Sequence, residues 1–331
     1  MTVEPLLTVS KLEVQFSSER GQVLAVRDVN FHLDQGEVVS VLGESGSGKS
    51  VTQKAIIGLI DCPPGRIVGS IHFDGQELVG MSEKQYRAIR GRKIGMVFQD
   101  ALDALNPTYT IGRQLTEIFR VRRNMGKAEA TEAAVTLIDQ VGIPDARARL
   151  KDYPHQLSGG MRQRVCIAMA IALEPKLLIA DEPTTALDVT VQAEILRLLK
   201  ELQKKTNMAM IFVTHDVSVA RLVADRIIVM YAGQIVEEGG AQDVAVRSAH
   251  PYTRALLASQ PGSVKDWDWH NLSPIAGSPP DKARTITGCP FVNRCPVAEP
   301  ICATQDPPAV SVDDGHLALC HFAEEVRHGQ R

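Results

Sequence analysis

No stretch of this chain stays apolar over the ~20 residues that a membrane-spanning helix needs, and the N-terminus lacks the basic start and apolar run of a secretion signal. The expectation is a cytosolic protein. Charge of one sign is missing as well: 36 Lys and Arg face 39 Asp and Glu, a formal net charge of -3. General nucleic-acid binding therefore has no electrostatic support, and no nucleic-acid partner is expected. Arg120, Arg122 and Arg123 read as the solvated face of a helix. There is no internal repeat. Cysteine is present six times, but a cytosolic compartment keeps thiols reduced, so disulfides are not expected. What remains is an ordinary globular composition, 44% hydrophobic and 23% charged over 331 residues, with room for about two domains and a sizeable core.

The run Gly43-Glu44-Ser45-Gly46-Ser47-Gly48-Lys49-Ser50 fits G-x-x-x-x-G-K-[ST], a loop whose backbone N–H groups wrap the phosphates of ATP or GTP. The glycines let the N–H groups turn inward, Lys49 supplies a point charge and Ser50 a hydroxyl for Mg²⁺. The flanks agree with this. Glu37 to Leu42 reads as a short buried strand, and Ser50 to Ile60 carries Ala55, Ile56 and Leu59 at helical spacing, so the loop opens a helix at its positive end.

Alternation over Leu7 to Phe16 and at Val29, Phe31 and Leu33 predicts half-buried antiparallel strands ahead of the loop. After Gln99 the period becomes helical, over Ile111 to Asn124 and Lys127 to Val141. A strand at Leu177 to Ala180, a helix at Thr190 to Lys205 and a strand at Met210 to Val213 restore the α/β pattern, and Ile227 to Glu238 reads as a hairpin turning at Ala232-Gly233. Ten of the eighteen prolines lie between Pro251 and Pro308, which disfavours long regular elements there. His250 to Gln260 is read as a short helix and Pro261 to Thr287 as a loop or linker.

Leu177 to Glu182 places two carboxylates where an apolar strand ends, the position that open α/β sheets use for ligand chemistry. Asp181 is the candidate for Mg²⁺ together with Ser50, and Glu182 for the water that attacks the γ-phosphate. His215 follows another strand. In Leu157-Ser158-Gly159-Gly160-Met161-Arg162-Gln163-Arg164 a cap serine and paired glycines precede an apolar helix, a second anion site on physical grounds. One chain hardly needs two phosphate clamps unless they serve different nucleotides.

In their order, the phosphate loop, Gln99, LSGGMRQR, LLIADEP, Ala186-Leu187-Asp188 and His215 resemble the ATP-binding cassette (ABC) ATPases over roughly residues 7 to 240. The resemblance implies a P-loop NTPase (RecA-like) α/β core with an antiparallel β-subdomain, an inserted α-helical subdomain and an irregular cysteine-containing C-terminal extension. Its boundaries would be 1–100 and 165–240 for the core, 101–164 for the helical subdomain and 241–331 for the extension. It further implies a dimer that sandwiches each ATP between one subunit's phosphate loop and the partner's Ser158, Gly159 and Gly160. Gln99 would reach Mg²⁺ and sense a membrane partner, Asp188 would link the two sites, and His215 would contact the γ-phosphate. Phe16 is the candidate for stacking on adenine, although Ser17 to Gln22 could shift that assignment.

Asp100 to Gly112 and His250-Pro251-Tyr252-Thr253-Arg254-Ala255-Leu256-Leu257 resemble the dipeptide/oligopeptide-type importer ATPases, while HPYT alone reads equally as a capped helix start. The implied partners are two transmembrane permease subunits, a second cassette ATPase in preference to a homodimer, and an extracytoplasmic solute-binding protein. The implied place is peripheral, on the cytoplasmic face of the inner membrane. An importer of nickel or another small solute, and a soluble cassette machine acting on ribosomes or nucleic acid, are the alternatives. Near the end stand Cys289, Cys295, Cys302 and Cys320 among prolines. Four thiolates in an irregular peptide suit a metal or an iron-sulfur cluster, but the tight C-x2-C pairs of zinc sites are lacking, and inert thiols fit the spacing too. The resemblance favours a four-iron four-sulfur cluster, with zinc second and His316 and His321 near enough to substitute as ligands. Cys62 and Cys166 read as structural thiols.

Overall fold

A computed structural model describes residues 4–18, 21–99, 104–185, 187–259, 275–281 and 286–331. Asp100 to Asp103 of the segment after Gln99, Ala186, and most of the stretch Pro261 to Thr287 lie outside the described residues. The chain divides into two compact units, Met1–Ser82 with Phe212–Arg331, and Glu83–Ile211.

The first unit begins with the expected antiparallel strands. β1 (Leu7–Ser18) pairs with β2 (Gly21–Leu33) in a register that sets Leu7 opposite Leu33 and Val9 opposite Phe31. Alternation puts Leu7, Val9, Leu12 and Val14 inside. After β3 (Val38–Leu42) and α1 (Lys49–Ile56), β4 (Gly65–Phe73) lies on the other side of β1 and the two-residue β5 (Gln76–Glu77) completes a sheet of order β2-β1-β4-β5. All five residues of β3 are buried, as the apolar run predicted.

The second unit runs through α2 (Glu83–Ile89), β6 (Ile94–Val97), α3 (Ile111–Arg123), α4 (Lys127–Gln140), α5 (Ala146–Arg149), α6 (Gly159–Ile171), β7 (Leu177–Asp181) and α7 (Val189–Thr206) to the start of β8 (Ala209–Val213). Strand order here is β8-β7-β6, with Ile94 beside Leu177 and Val97 beside Ala180 in parallel. The boundaries of α3 have local causes. Thr110 Oγ1 accepts from the Arg113 N–H, and Asn124 ends the helix in the left-handed region at φ 55°. Helix α4 buries Ala130, Ala134, Leu137 and Ile138, the face its periodicity marked.

The chain then returns to the first unit with α8 (Val217–Val223), β9 (Arg226–Tyr231), β10 (Gln234–Gly240), α9 (Ala241–Val246), α10 (Pro251–Ala258), α11 (Pro300–Thr304), β11 (Ala309–Asp313), β12 (His316–Leu319) and α12 (Ala323–Arg327). Strand order is β11-β12-β10-β9-β3. The β9–β10 turn falls at Ala232-Gly233, both at positive φ (49° and 90°), the requirement of a two-residue hairpin. Residues after 240 are more regular than their prolines suggest. Short strands with Val310 and Val312 on one side of Asp313-Asp314-Gly315, and Leu317 and Leu319 on the other, form a hairpin that adds to β10.

This addition is held by a buried carboxylate. Glu237, fully buried on β10, accepts from the backbone N–H of Ala249 (2.6 Å) and of His250 (3.1 Å) and from His316 Nε2 of β12 (2.8 Å). Above it Tyr231, Tyr252 and Phe291 form an aromatic cluster with centroids 4.5 to 5.4 Å apart. Burying such a ring contributes roughly 2–3 kcal/mol, and the extension shares the core of β3 and β9. His250 caps α10, its Nδ1 accepting from the Tyr252 N–H. Burial pushes its pKa down to about 4 from the usual 6.5, against the pull of Glu237 and of a Leu319 hydrogen bond.

A pH dependence follows. The unfolded ring takes up a proton near pH 6.5 but the folded ring only near pH 4, so acid favours the unfolded state across that window. His250→Asn, which keeps a capping oxygen, is expected to remove about 2 kcal/mol of the stability loss between pH 7 and pH 5, as read from urea unfolding midpoints at the two pH values.

Candidate active site

In the first unit the phosphate loop leaves buried β3 and turns through Gly43, Gly46 and Gly48 at φ 149°, 77° and 111°. A Cβ at Gly43 would lie 2.3 Å from the Met230 carbonyl oxygen and 2.6 Å from Ser47 Oγ, a space that only glycine fits. Lys49 is almost fully buried, and its Nζ donates to the carbonyls of Gly43 (2.6 Å) and Glu44 (2.9 Å). The ammonium thus curls back over the loop. The Ser47 hydroxyl is buried with no hydrogen-bond partner among the described atoms. A backbone turned through three glycines at positive φ, a buried cation and an unused hydroxyl suit a polyphosphate.

Three contacts hold the loop from outside. The Gly233 N–H of the β9–β10 turn donates to the Ser47 carbonyl (2.7 Å). The Glu44 N–H donates to the Tyr252 hydroxyl (2.9 Å), and the Glu44 carboxylate accepts two bonds from Arg294. Ser45 and Ser50 complete the loop, Ser50 in the first turn of α1. His215 follows β8 and is exposed. It stands beside the end of β3, because the preceding Thr214 N–H donates to the Val41 carbonyl (3.3 Å). Phe16 is half-buried on β1, opposite Val23 and Gly65.

In the second unit Asp181 ends β7 and is nearly buried. Glu182 follows in the left-handed region at φ 46°, a strain of about 1 kcal/mol for a residue with a side chain. Its Oε2 accepts from Thr185 Oγ1 (2.8 Å) and from Gln99 Nε2 (3.3 Å). Gln99 and Glu182 are therefore brought together, as two site residues distant in sequence. Ser158 caps α6 by accepting from the Met161 N–H (3.3 Å), and Asp188 caps α7 by accepting from the Val191 N–H (3.0 Å). The two helix starts approach closely: a Cβ at Gly160 would lie 2.6 Å from Val191 Cγ1, and one at Gly159 3.7 Å from Leu187 Cδ2. The Ser50 hydroxyl of the first unit and the Asp181 carboxylate of the second are each, taken alone, oxygen donors of the hard kind that suits Mg²⁺.

The expected metal centre in the extension is overturned. Cys289, Cys295, Cys302 and Cys320 are free and line one void of about 10 Å³, with Phe291, Phe322 and Pro307 among its walls. Among the described residues no group of three or more His, Cys, Asp and Glu side chains is placed to hold a metal ion. Neither iron-sulfur nor zinc follows, and the space that the four thiols share is only about the size of one water molecule. Burial pushes Cys289 up to about 12 and Cys320 up to about 11, and raises Cys295. His316 is engaged with Glu237 and His321 with the Gln305 carbonyl. Buried Cys166 is likewise pushed up to about 12 by desolvation, the inert thiol it was read as.

Comparison with known proteins decides the family. Residues 26–185 match the ABC transporter model, and residues 236–302 match the model of the C-terminal region of oligopeptide/dipeptide transporters. The chain is 50% identical over 315 residues to the oligopeptide transport ATP-binding protein OppD of Bacillus subtilis, covering 95% of this chain and 88% of that protein. It is 48% identical over 317 residues to the dipeptide transport ATP-binding protein DppD of Escherichia coli, 96% of each. The chain belongs to the ABC transporter ATPases of the oligopeptide/dipeptide type. Among solved structures it resembles a dimeric post-hydrolysis state of the cassette MJ0796 bound to ADP and Pi, with 31% identity, a TM-score of 0.63, and 71% of this chain and 98% of that one covered.

As an ABC ATPase the chain binds and hydrolyses ATP, and its P-loop fold is that of the family. Two contacts at its loop were not read from the sequence. Tyr252 stands inside His-Pro-Tyr-Thr and Arg294 inside Cys-Pro-Phe-Val-Asn-Arg-Cys-Pro, but no local pattern says that both reach Glu44. Among the described residues no helix is long and apolar enough to cross a membrane. Gly43→Ala is expected to lower ATP affinity at least about 30-fold, since overlaps of this size force the loop out of shape. Fluorescent-nucleotide titration measures it, and unchanged affinity would mean the loop tolerates the clash.

Proposed function

We propose that this chain is the ATP-hydrolysing subunit of an importer for dipeptides or oligopeptides, seated peripherally on the cytoplasmic face of the inner membrane. It works against two transmembrane permease subunits beside a second, different cassette ATPase, while an extracytoplasmic solute-binding protein delivers the cargo. The observation that carries this reading is the match of residues 236–302 to the C-terminal region of oligopeptide/dipeptide transporters. A cassette alone is shared by many tasks.

Within the proposal, residues 1–100 and 165–240 are the ATP-binding core, 101–164 the helical subdomain and 241–331 the extension. Backbone N–H groups of Gly43 to Gly48 and the Lys49 ammonium take the phosphates, and Phe16 stacks on the adenine. Mg²⁺, when bound through Ser50, Gln99 and Asp181, neutralises phosphate charge. Glu182 accepts the proton of the attacking water and His215 steadies the γ-phosphate. The strained backbone and the Thr185 and Gln99 hydrogen bonds aim the Glu182 carboxylate before ATP arrives. Ser158, Gly159 and Gly160 close over the partner cassette's nucleotide, and Asp188 links the two sites. A groove of about 560 Å³ in the second unit, lined by Tyr109, Gln114, Ile118 and Val121, offers a permease segment apolar purchase, and Val121 there is 71% exposed.

Glu182→Gln is expected to bind ATP with affinity within about threefold of wild type and to hydrolyse it at least about 100-fold more slowly. Near-normal turnover would refute Glu182 as the base. For the biological assignment, the tagged Glu182→Gln chain is to be captured from gently solubilised membranes with ATP present. Two multi-span permeases and a second cassette ATPase are the expected companions, and ribosomal proteins without a permease would refute the importer reading.

A further inference from the structure

Glu44 is an awkward residue for an anion-binding loop. Its carboxylate adds negative charge to a segment whose N–H groups and Lys49 gather phosphates, and neighbouring like charges repel. That charge is met by a residue 250 positions away. Arg294 Nη1 donates to Glu44 Oε2 at 2.8 Å and Nη2 to Oε1 at 3.0 Å, the two-bond fork that makes guanidinium–carboxylate pairs strong and directional.

The fork is assembled by the fold. The Arg294 side chain is 4% exposed, and its other N–H groups go to the carbonyls of Ala276 (2.9 Å) and Ile275 (3.3 Å) and to the Tyr231 hydroxyl (3.2 Å). The Tyr231 and Phe291 rings flank it at 5.7 and 5.9 Å. With Tyr252 taking the Glu44 N–H, the extension grips this one loop residue by backbone and side chain together.

We propose that Arg294 is a positioning residue of the ATP site that cancels the Glu44 charge, so that nucleotide affinity depends on this ion pair, which the C-terminal extension supplies. This rests on the reading of Gly43 to Ser50 as the phosphate site. A second ion pair separates positioning from attachment: Arg27 of β2 donates to Asp306 (3.1 Å) and to the Ile286 carbonyl (3.2 Å). It ties down the same extension without touching the loop.

The test uses the full-length chain, with ATP Michaelis constants, MgADP calorimetry and thermal midpoints. Arg294→Gln is expected to raise the ATP KM and the MgADP Kd about tenfold while kcat stays within about twofold. Arg294→Lys, which keeps the charge but not the fork, raises them about threefold. Adding Glu44→Gln to Arg294→Gln removes the uncancelled charge and restores most of the affinity, the coupling expected of a direct pair. Arg27→Gln lowers the thermal midpoint and leaves KM and Kd unchanged. If Arg294→Gln and Arg27→Gln both lower the midpoint and neither moves Kd, Arg294 merely anchors the extension and the proposal falls. It falls also if Glu44→Gln restores nothing. Should Arg294→Gln fail to fold, Glu44→Gln alone carries the test, with affinity held or tightened expected and a tenfold weakening overturning charge cancellation. A wild-type chain that neither binds MgADP nor hydrolyses ATP would instead overturn the phosphate-site reading itself.

Discussion

The backbone from Gly43 to Gly48 is the constraint around which the first unit is built. An anion cradle needs successive N–H groups turned the same way, and that turn places three glycines at positive φ. A glycine-rich segment left alone would surrender this conformation to entropy. Here it is confined instead: β3 is buried along its whole length, the Met230 carbonyl fills the space beside Gly43, and the β9–β10 turn hydrogen-bonds Ser47. The aromatic cluster of Tyr231, Tyr252 and Phe291 then supplies both packing and the hydroxyl that meets Glu44.

The second unit applies the same economy to a carboxylate. Glu182 sits in a conformation that side chains avoid, and two hydrogen bonds keep its Oε2 engaged. A carboxylate oxygen held this way has little freedom left to lose. Nearby in the same unit, two helix starts lie almost against one another, with Gly159 and Gly160 providing the clearance. The paired glycines thus serve packing as well as the exposure of N–H groups.

Much of this was legible from residue order. Strands with clean alternation or unbroken apolar runs, and most helices with one apolar face, appear where their periods place them, because a single local rule determines each; the helix read over Ser50 to Ile60 instead ends at Ile56, with Leu59 beyond it and exposed. Ala232-Gly233 was legible for the same reason. The tail was not. Its strands β11 and β12 are short and their pattern is interrupted by Asp313-Asp314-Gly315, while prolines nearby speak louder than two valines and two leucines. The cysteine spacing misled because spacing carries no record of how tightly side chains close around the space they share. Arg294 was hidden for a different reason, since its partner is fixed by tertiary packing and not by any neighbour in sequence.

The hairpin of β11 and β12 also bears on how the protein is made. It occupies the flank of β10, which would otherwise present unpaired N–H and C=O groups to any passing strand. Synthesis proceeds from the N-terminus, so β10 emerges from the ribosome well before the residues that cover it. During that interval the nascent chain carries an open edge beside a carboxylate, Glu237, whose imidazole partner His316 does not yet exist. Emergence of β11 and β12 is then the event that seals this edge against intermolecular pairing, and a chain lacking them would leave it open to aggregation.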